Sequence, residues 1–130
     1  MATRSFAVVL MIVAGPIAAQ TSTADRPISF SIAPQNNHDL SGDAMLVADG
    51  SGTRVRIALG GRLASERLFV RIRSGGCAES TGIARHAVGE LSGGALTTTI
   101  GLPLSMLIAG DSAMIVERAD GAVAACGNIS

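Results

Sequence analysis

The sequence predicts an all-β protein, an antiparallel Greek-key β-sandwich or flattened barrel carrying one disulfide. Three observations predict it. Apolar residues recur at every second position in short runs, glycine pairs and Asp-Gly separate the runs, and no stretch keeps a convincing helical period. Alternation marks strands with one buried and one wet face. Asp-Gly and Gly-Gly between such runs mark tight turns, because both central residues can take positive φ. Seven or so short strands punctuated in this way argue for a sandwich or barrel.

The runs follow in order. Ile28, Phe30 and Ile32 alternate with Ser29 and Ser31, and Ala44 to Ala48 form a second apolar run. Val55, Ile57 and Leu59 alternate with Arg54, Arg56 and Ala58, and Leu68, Val70 and Ile72 with Phe69, Arg71 and Arg73. Leu96 to Ile100, Ala113 to Glu117 and Ala122 to Ala125 complete the set. Turns are expected at Asp49-Gly50-Ser51-Gly52, Gly60-Gly61, Gly75-Gly76, Gly93-Gly94 and Asp120-Gly121. Pro103 to Ile108 admits one helical turn at most. Asn36-Asn37-His38-Asp39 holds metal-competent groups, but an Asx-rich run before a strand reads first as a turn.

The N-terminus speaks to compartment. MATRSFAVVLMIVAGPIAAQ has a positive start at Arg4, a short apolar run from Phe6 to Val13, a break at Gly15-Pro16 and small residues at Ala18-Ala19. That is the layout of a secretory signal peptide over residues 1–19, since the apolar run is too short to span a bilayer. The alternative is an uncleaved anchor. After cleavage, residues 20–39 form a polar lead with the first strand and residues 40–130 the sandwich domain. The expected location is outside the cytoplasm, periplasmic or secreted, with no membrane span left.

Composition narrows the function classes. Removing Arg4 from ten basic residues leaves nine arginines against ten acidic residues. A chain so balanced is not built to hold nucleic acid or an acidic membrane. There is no lysine, tyrosine or tryptophan, and Phe30 and Phe69 are the only phenylalanines after the leader, so base-stacking platforms are lacking. No nucleophile elbow and no phosphate loop is present. Asn128-Ile129-Ser130 fits the N-x-S acceptor pattern without further meaning here.

Cys77 and Cys126 are the only cysteines. In an oxidising compartment such a pair reads as one disulfide, the other reading being a free thiol or metal ligand.

With this layout, the chain resembles the copper/zinc superoxide dismutase fold family over residues 40–129. Three stretches carry the resemblance. Residues 40–61, LSGDAMLVADGSGTRVRIALGG, are similar to the family's opening strands. FVRIRSGGC, Phe69 to Cys77, resembles the strand where the family has His-x-His before a disulfide cysteine. MIVERADGAVAACGNI, Met114 to Ile129, resembles its closing strands, with the Ala-Cys-Gly-x-Ile ending at 125–129. The resemblance implies a Cys77–Cys126 bridge. It also places Arg71 and Arg73 where the family keeps two copper histidines, and Glu117 where a third would stand. Arginine has no free lone pair to offer a metal. Arg85-His86-Ala87-Val88-Gly89-Glu90-Leu91 resembles the family's Arg-His-Val-Gly-Asp-Leu with one extra residue, which makes His86 and Glu90 zinc candidates. The alternative is an exposed loop histidine.

Residues 78–84 are much shorter than the family's zinc loop. The tight turn Ala119-Asp120-Gly121 replaces its charged substrate-guiding loop, and Val123 stands where it has an arginine. What is expected is a non-enzymatic relative without a resident cofactor, acting as a binding or structural module. A degenerate zinc or copper site at His86, Glu90 and His38, or a divergent dismutase, are the other readings. Arg71 and Arg73 then either form an ion-paired face with Glu117 or an anion site for a small ligand or a partner protein's acidic side chain. A more distant resemblance is to bacterial domains related to chordin, which usually keep a histidine pair at the metal strand and lack this cysteine pair.

Overall fold

The computed structural model describes residues 26–78 and 84–129. The leader, with its cut after Ala19, and Ser130 of the N-x-S pattern lie outside them, as does most of the short segment 78–84. Eight strands form: β1 (Ile28–Pro34), β2 (Ser41–Asp49), β3 (Gly52–Gly60), β4 (Leu68–Ser74), β5 (Ala84–Leu91), β6 (Ala95–Ile100), β7 (Ser112–Arg118) and β8 (Val123–Ile129). One helical turn, α1 (Leu104–Ile108), and a 3-10 turn at Arg62–Ser65 complete the chain. Seven of the eight strands follow the seven apolar runs, β5 being the one without a run, and α1 is a single turn after Pro103.

All pairings are antiparallel, in the order β5-β4-β7-β8-β1-β2-β3-β6. Neighbours distant in sequence (β3 with β6, β4 with β7, β1 with β8) give the Greek-key connectivity. β1 joins the two halves, pairing with β2 along most of its length and with β8 through Ala33↔Cys126 and Pro34↔Ala125. The end strands β5 and β6 meet at the two-residue turn Gly93-Gly94, both at positive φ, so the sheet nearly closes into a barrel.

Alternation does the packing. β3 reads buried-exposed from Thr53 to Gly60, with Val55, Ile57 and Leu59 inside. Ile32, Leu46, Leu68, Val70, Ile72, Met114 and Val116 join them, and Leu104 and Leu107 of α1 are buried in the same core. Aliphatic side chains thus supply nearly all the buried apolar area, at about 25 cal/mol per Å² removed from water. β7 is buried on both faces. Its Met114 and Val116 face the core, while Ala113 and Ile115 form a second small cluster with Cys126 and Cys77.

One element differs from expectation. His86 does not lie in a loop; it stands in β5, half-buried and opposite the core residue Ile72. Two register shifts, between Val70/Arg71 and Ile72/Arg73, interrupt that ladder. Bulges of this kind break the period of two that would announce a strand.

Candidate functional site

The outward face of β4, β7 and β8 gathers the residues singled out in the sequence. Phe69, Arg71 and Arg73 alternate with the buried Leu68, Val70 and Ile72, so all three share that face. Across β7, Arg71 stands opposite Ile115 and Arg73 opposite Ala113; across β8, Ile115 stands opposite Cys126. The face is apolar at its centre and charged at its sides.

Cys77 and Cys126 are bonded, with Cα atoms 5.9 Å apart. The bridge ties the segment after β4 down onto Ala113 and Ile115. Asn128 Oδ1 accepts the Cys77 backbone N–H at 2.7 Å and fixes the same segment one residue pair further along.

Most of the charges on this side are paired. Arg71 Nε lies 3.0 Å from Glu117 Oε1, Arg67 Nε 3.1 Å from Glu90 Oε2, and Arg118 Nη2 3.2 Å from Glu66 Oε1. The Arg67 guanidinium also sits 5.3 Å from the Phe69 ring centroid. Arg73 is different. It has no carboxylate partner among the described residues, and its Nε is buried without a hydrogen bond. It lines a cavity of about 190 Å³ with Gln35, Asn36, Val123 and the two cysteines.

The Asn36-Asn37 run is the turn expected of it. Both asparagines are left-handed, at φ 55° and 61°, and the His38 N–H donates to Gln35 O at 3.0 Å. Asn tolerates this region better than most residues. Asn36 Nδ2 donates to Val123 O at 2.9 Å and the Gln35 N–H donates to Ala124 O at 2.9 Å, which anchors the turn over β8. Sequence reasoning missed Gln35 and Asn36 as neighbours of Arg73, and no local signal links positions so far apart.

The zinc candidates do not come together. Glu90 pairs opposite the outward Phe69, whereas His86 pairs opposite the inward Ile72. A regular strand would put residues four apart on one face, but the extra residue at Val88 reverses the parity. Glu90 is already engaged by Arg67. His38 lies against Gln35 O through Nδ1 at 2.9 Å, next to a different cavity formed with Asn37, Asp39, Arg62 and Leu63. The residues at the copper positions of the resemblance, Arg71, Arg73 and Glu117, do not fit a metal either: two are permanent cations, and the carboxylate is taken by one of them.

Arg54 and Arg56 sit on β3, exposed, on the other half of the sheet and apart from Arg71 and Arg73. Among the described residues no helix is long and apolar enough to cross a membrane. The disulfide is compatible with an exported protein. No family model, curated protein or solved structure matches the chain.

Proposed function

We propose that this chain is an exported, non-enzymatic domain on a superoxide-dismutase-like sandwich, a binding or structural module whose former metal face is filled by charge. The observation that carries the reading is the Arg71–Glu117 ion pair, which joins two of the three positions that the resemblance assigns to copper ligands. A guanidinium offers donors only, so a metal ion meets fixed positive charge in place of lone pairs.

Further observations support the resemblance beneath this reading. The Cys77–Cys126 pairing is what it implies, and the pairing of β4 with β7 is what brings Arg71 within reach of Glu117. Dismutation needs a redox metal and a route for an anionic substrate. The turn at Arg118–Ala122, closed by the Arg118 N–H to Ala122 O bond at 2.9 Å, leaves no long charged loop to make that route.

The test is metal content of the purified, oxidised protein after exposure to copper and zinc, with a dismutase assay on the same sample. No retained metal and no activity is the expected result. One metal per chain surviving dialysis, with activity, would overturn the reading in favour of a divergent dismutase. Zinc retained without activity would move the function to a degenerate metal protein.

A further inference from the structure

We propose that Arg73 is the anchor of a small carboxylate-binding site, walled by Gln35, Asn36, Val123 and the Cys77–Cys126 disulfide. This deepens the binding-module reading and rests on it. The starting point is the asymmetry between two arginines on one strand face. Arg71 spends its charge on Glu117, while Arg73, two residues on, has no carboxylate partner among the described residues. Its Nε is shielded from solvent and has no acceptor. A buried donor without an acceptor is costly, and more so on a charged group. A carboxylate seated in the cavity removes that cost once the side chain turns its Nε–Hε edge toward it, where both oxygens can accept.

The walls suit such a ligand. Asn36 Nδ2 gives one N–H to Val123 O, and an amide nitrogen carries two. Gln35 also lines the cavity and brings a second carboxamide, its backbone fixed by the bond to Ala124 O. Val123 and the disulfide line the same cavity and add apolar surface to it. The cavity of about 190 Å³ is the share of roughly six water molecules. That admits a carboxylate with a short aliphatic tail, or the tip of an acidic side chain. Charge and shape together select a monocarboxylate with its tail against Val123. A lone guanidinium and two carboxamides offer no second cation for a phosphate dianion.

The experiment is an NMR titration of the oxidised protein with propionate, reading the Arg73 Nε–Hε and the Asn36 and Gln35 side-chain amides. A saturable downfield shift of Arg73 Hε, with shifts of both carboxamides, is expected. Arg73→Gln should weaken the response of Asn36 and Gln35 at least tenfold, and Arg54→Gln should leave it unchanged. The signal from the unmodified protein keeps the test decisive if Arg73→Gln folds poorly.

Two further arms identify the source of the carboxylate. Saturation by propionate but not by a C-terminally amidated peptide with one acidic residue indicates a free small ligand; the reverse indicates a partner protein. Either supports the site. A flat Arg73 signal with both propionate and the peptide, equal shifts at all arginines, or displacement of the bound probe by lower concentrations of inorganic phosphate overturns it. Metal uptake with dismutase activity would end the non-enzymatic reading without changing this titration, so the two failures are separable.

Discussion

Arg71 and Glu117 meet across a diagonal of the β4–β7 ladder, Nε to Oε1 at 3.0 Å, because Phe69 and not Arg71 occupies the position directly opposite Glu117. A diagonal neighbour on a sheet face is within reach of a long side chain. The two ends are unequally buried: the Glu117 side chain is 19% exposed and that of Arg71 50%. The carboxylate therefore depends more on the pair than the guanidinium does.

That imbalance sets the first prediction. Arg71→Gln is expected to destabilise more than Arg56→Gln, an exposed arginine on β3 with no ion pair among the described residues. The coupling between Arg71 and Glu117 should be about 0.5–1 kcal/mol, the upper part of the range for half-exposed pairs. A urea double-mutant cycle with Arg71→Gln, Glu117→Gln and the combined variant measures it. A coupling indistinguishable from zero would mean that the pair does not hold this face closed.

The disulfide sets the second. Its two cysteines are 49 residues apart, and closing a loop of that size is worth about 4 kcal/mol in the chain-entropy model. Stability of a domain this small is commonly not much larger. Paired replacement, Cys77→Ser with Cys126→Ser, should lower unfolding free energy by about that amount in urea, and reductant should do the same to the unmodified protein. A loss under about 1 kcal/mol would indicate an unfolded state already restrained in that region.

The fold was legible where period two was intact. Ile28–Ile32, Val55–Leu59 and Leu68–Ile72 each keep it, and each is a strand. β5 was not legible, because the register shift at Val88 puts His86 on the core side and Ala87 outward, so that RHAVGEL shows no alternation. The same shift defeats the spacing argument that linked His86 to Glu90. The arginine face was legible as a face but not as a site. Arg71 and Arg73 have the same parity and the same chemistry. Only tertiary placement, of Glu117 beside one and of the Asn36 turn beside the other, makes them differ.

Thr53 sets the third. It is fully buried, and its hydroxyl donates to Leu102 O at 2.7 Å, tying β3 to the segment that leads into α1. Thr53→Val keeps the shape and strands the carbonyl, at a cost of about 1–3 kcal/mol. Thr99, exposed on β6 with its hydroxyl 3.3 Å from Asp49 Oδ2, is the comparison. Thr99→Val should change stability by less than about 0.5 kcal/mol. Equal effects in thermal or urea unfolding would remove the Thr53 hydrogen bond from any account of how α1 is held.

Gly127 sets the last, and it bears on the Ala-Cys-Gly-Asn-Ile ending. A Cβ built there would lie 2.5 Å from Ser31 O and 2.9 Å from Phe30 Cδ2, because β8 passes close to the backbone of β1 immediately before the two strands pair. Ser31 O is backbone and cannot turn aside as a flexible side chain would. Gly127→Ala must therefore push β1 away from β8, which loosens the join between the two halves of the sheet and moves Cys126 with it. Overpacking of this kind costs about 1–3 kcal/mol. Gly60, which has no atom within 4 Å of a built Cβ, gives the control. Gly60→Ala should leave stability unchanged or raise it by up to about 1 kcal/mol, since only the entropy of the unfolded chain changes. The discriminating readout is amide hydrogen exchange at Ala33 and Cys126, the first residue pair of the β1–β8 ladder. Faster exchange there in Gly127→Ala, with the β2–β3 ladder unchanged, is the expected result. A uniform change across all strands would place the strain elsewhere in the barrel.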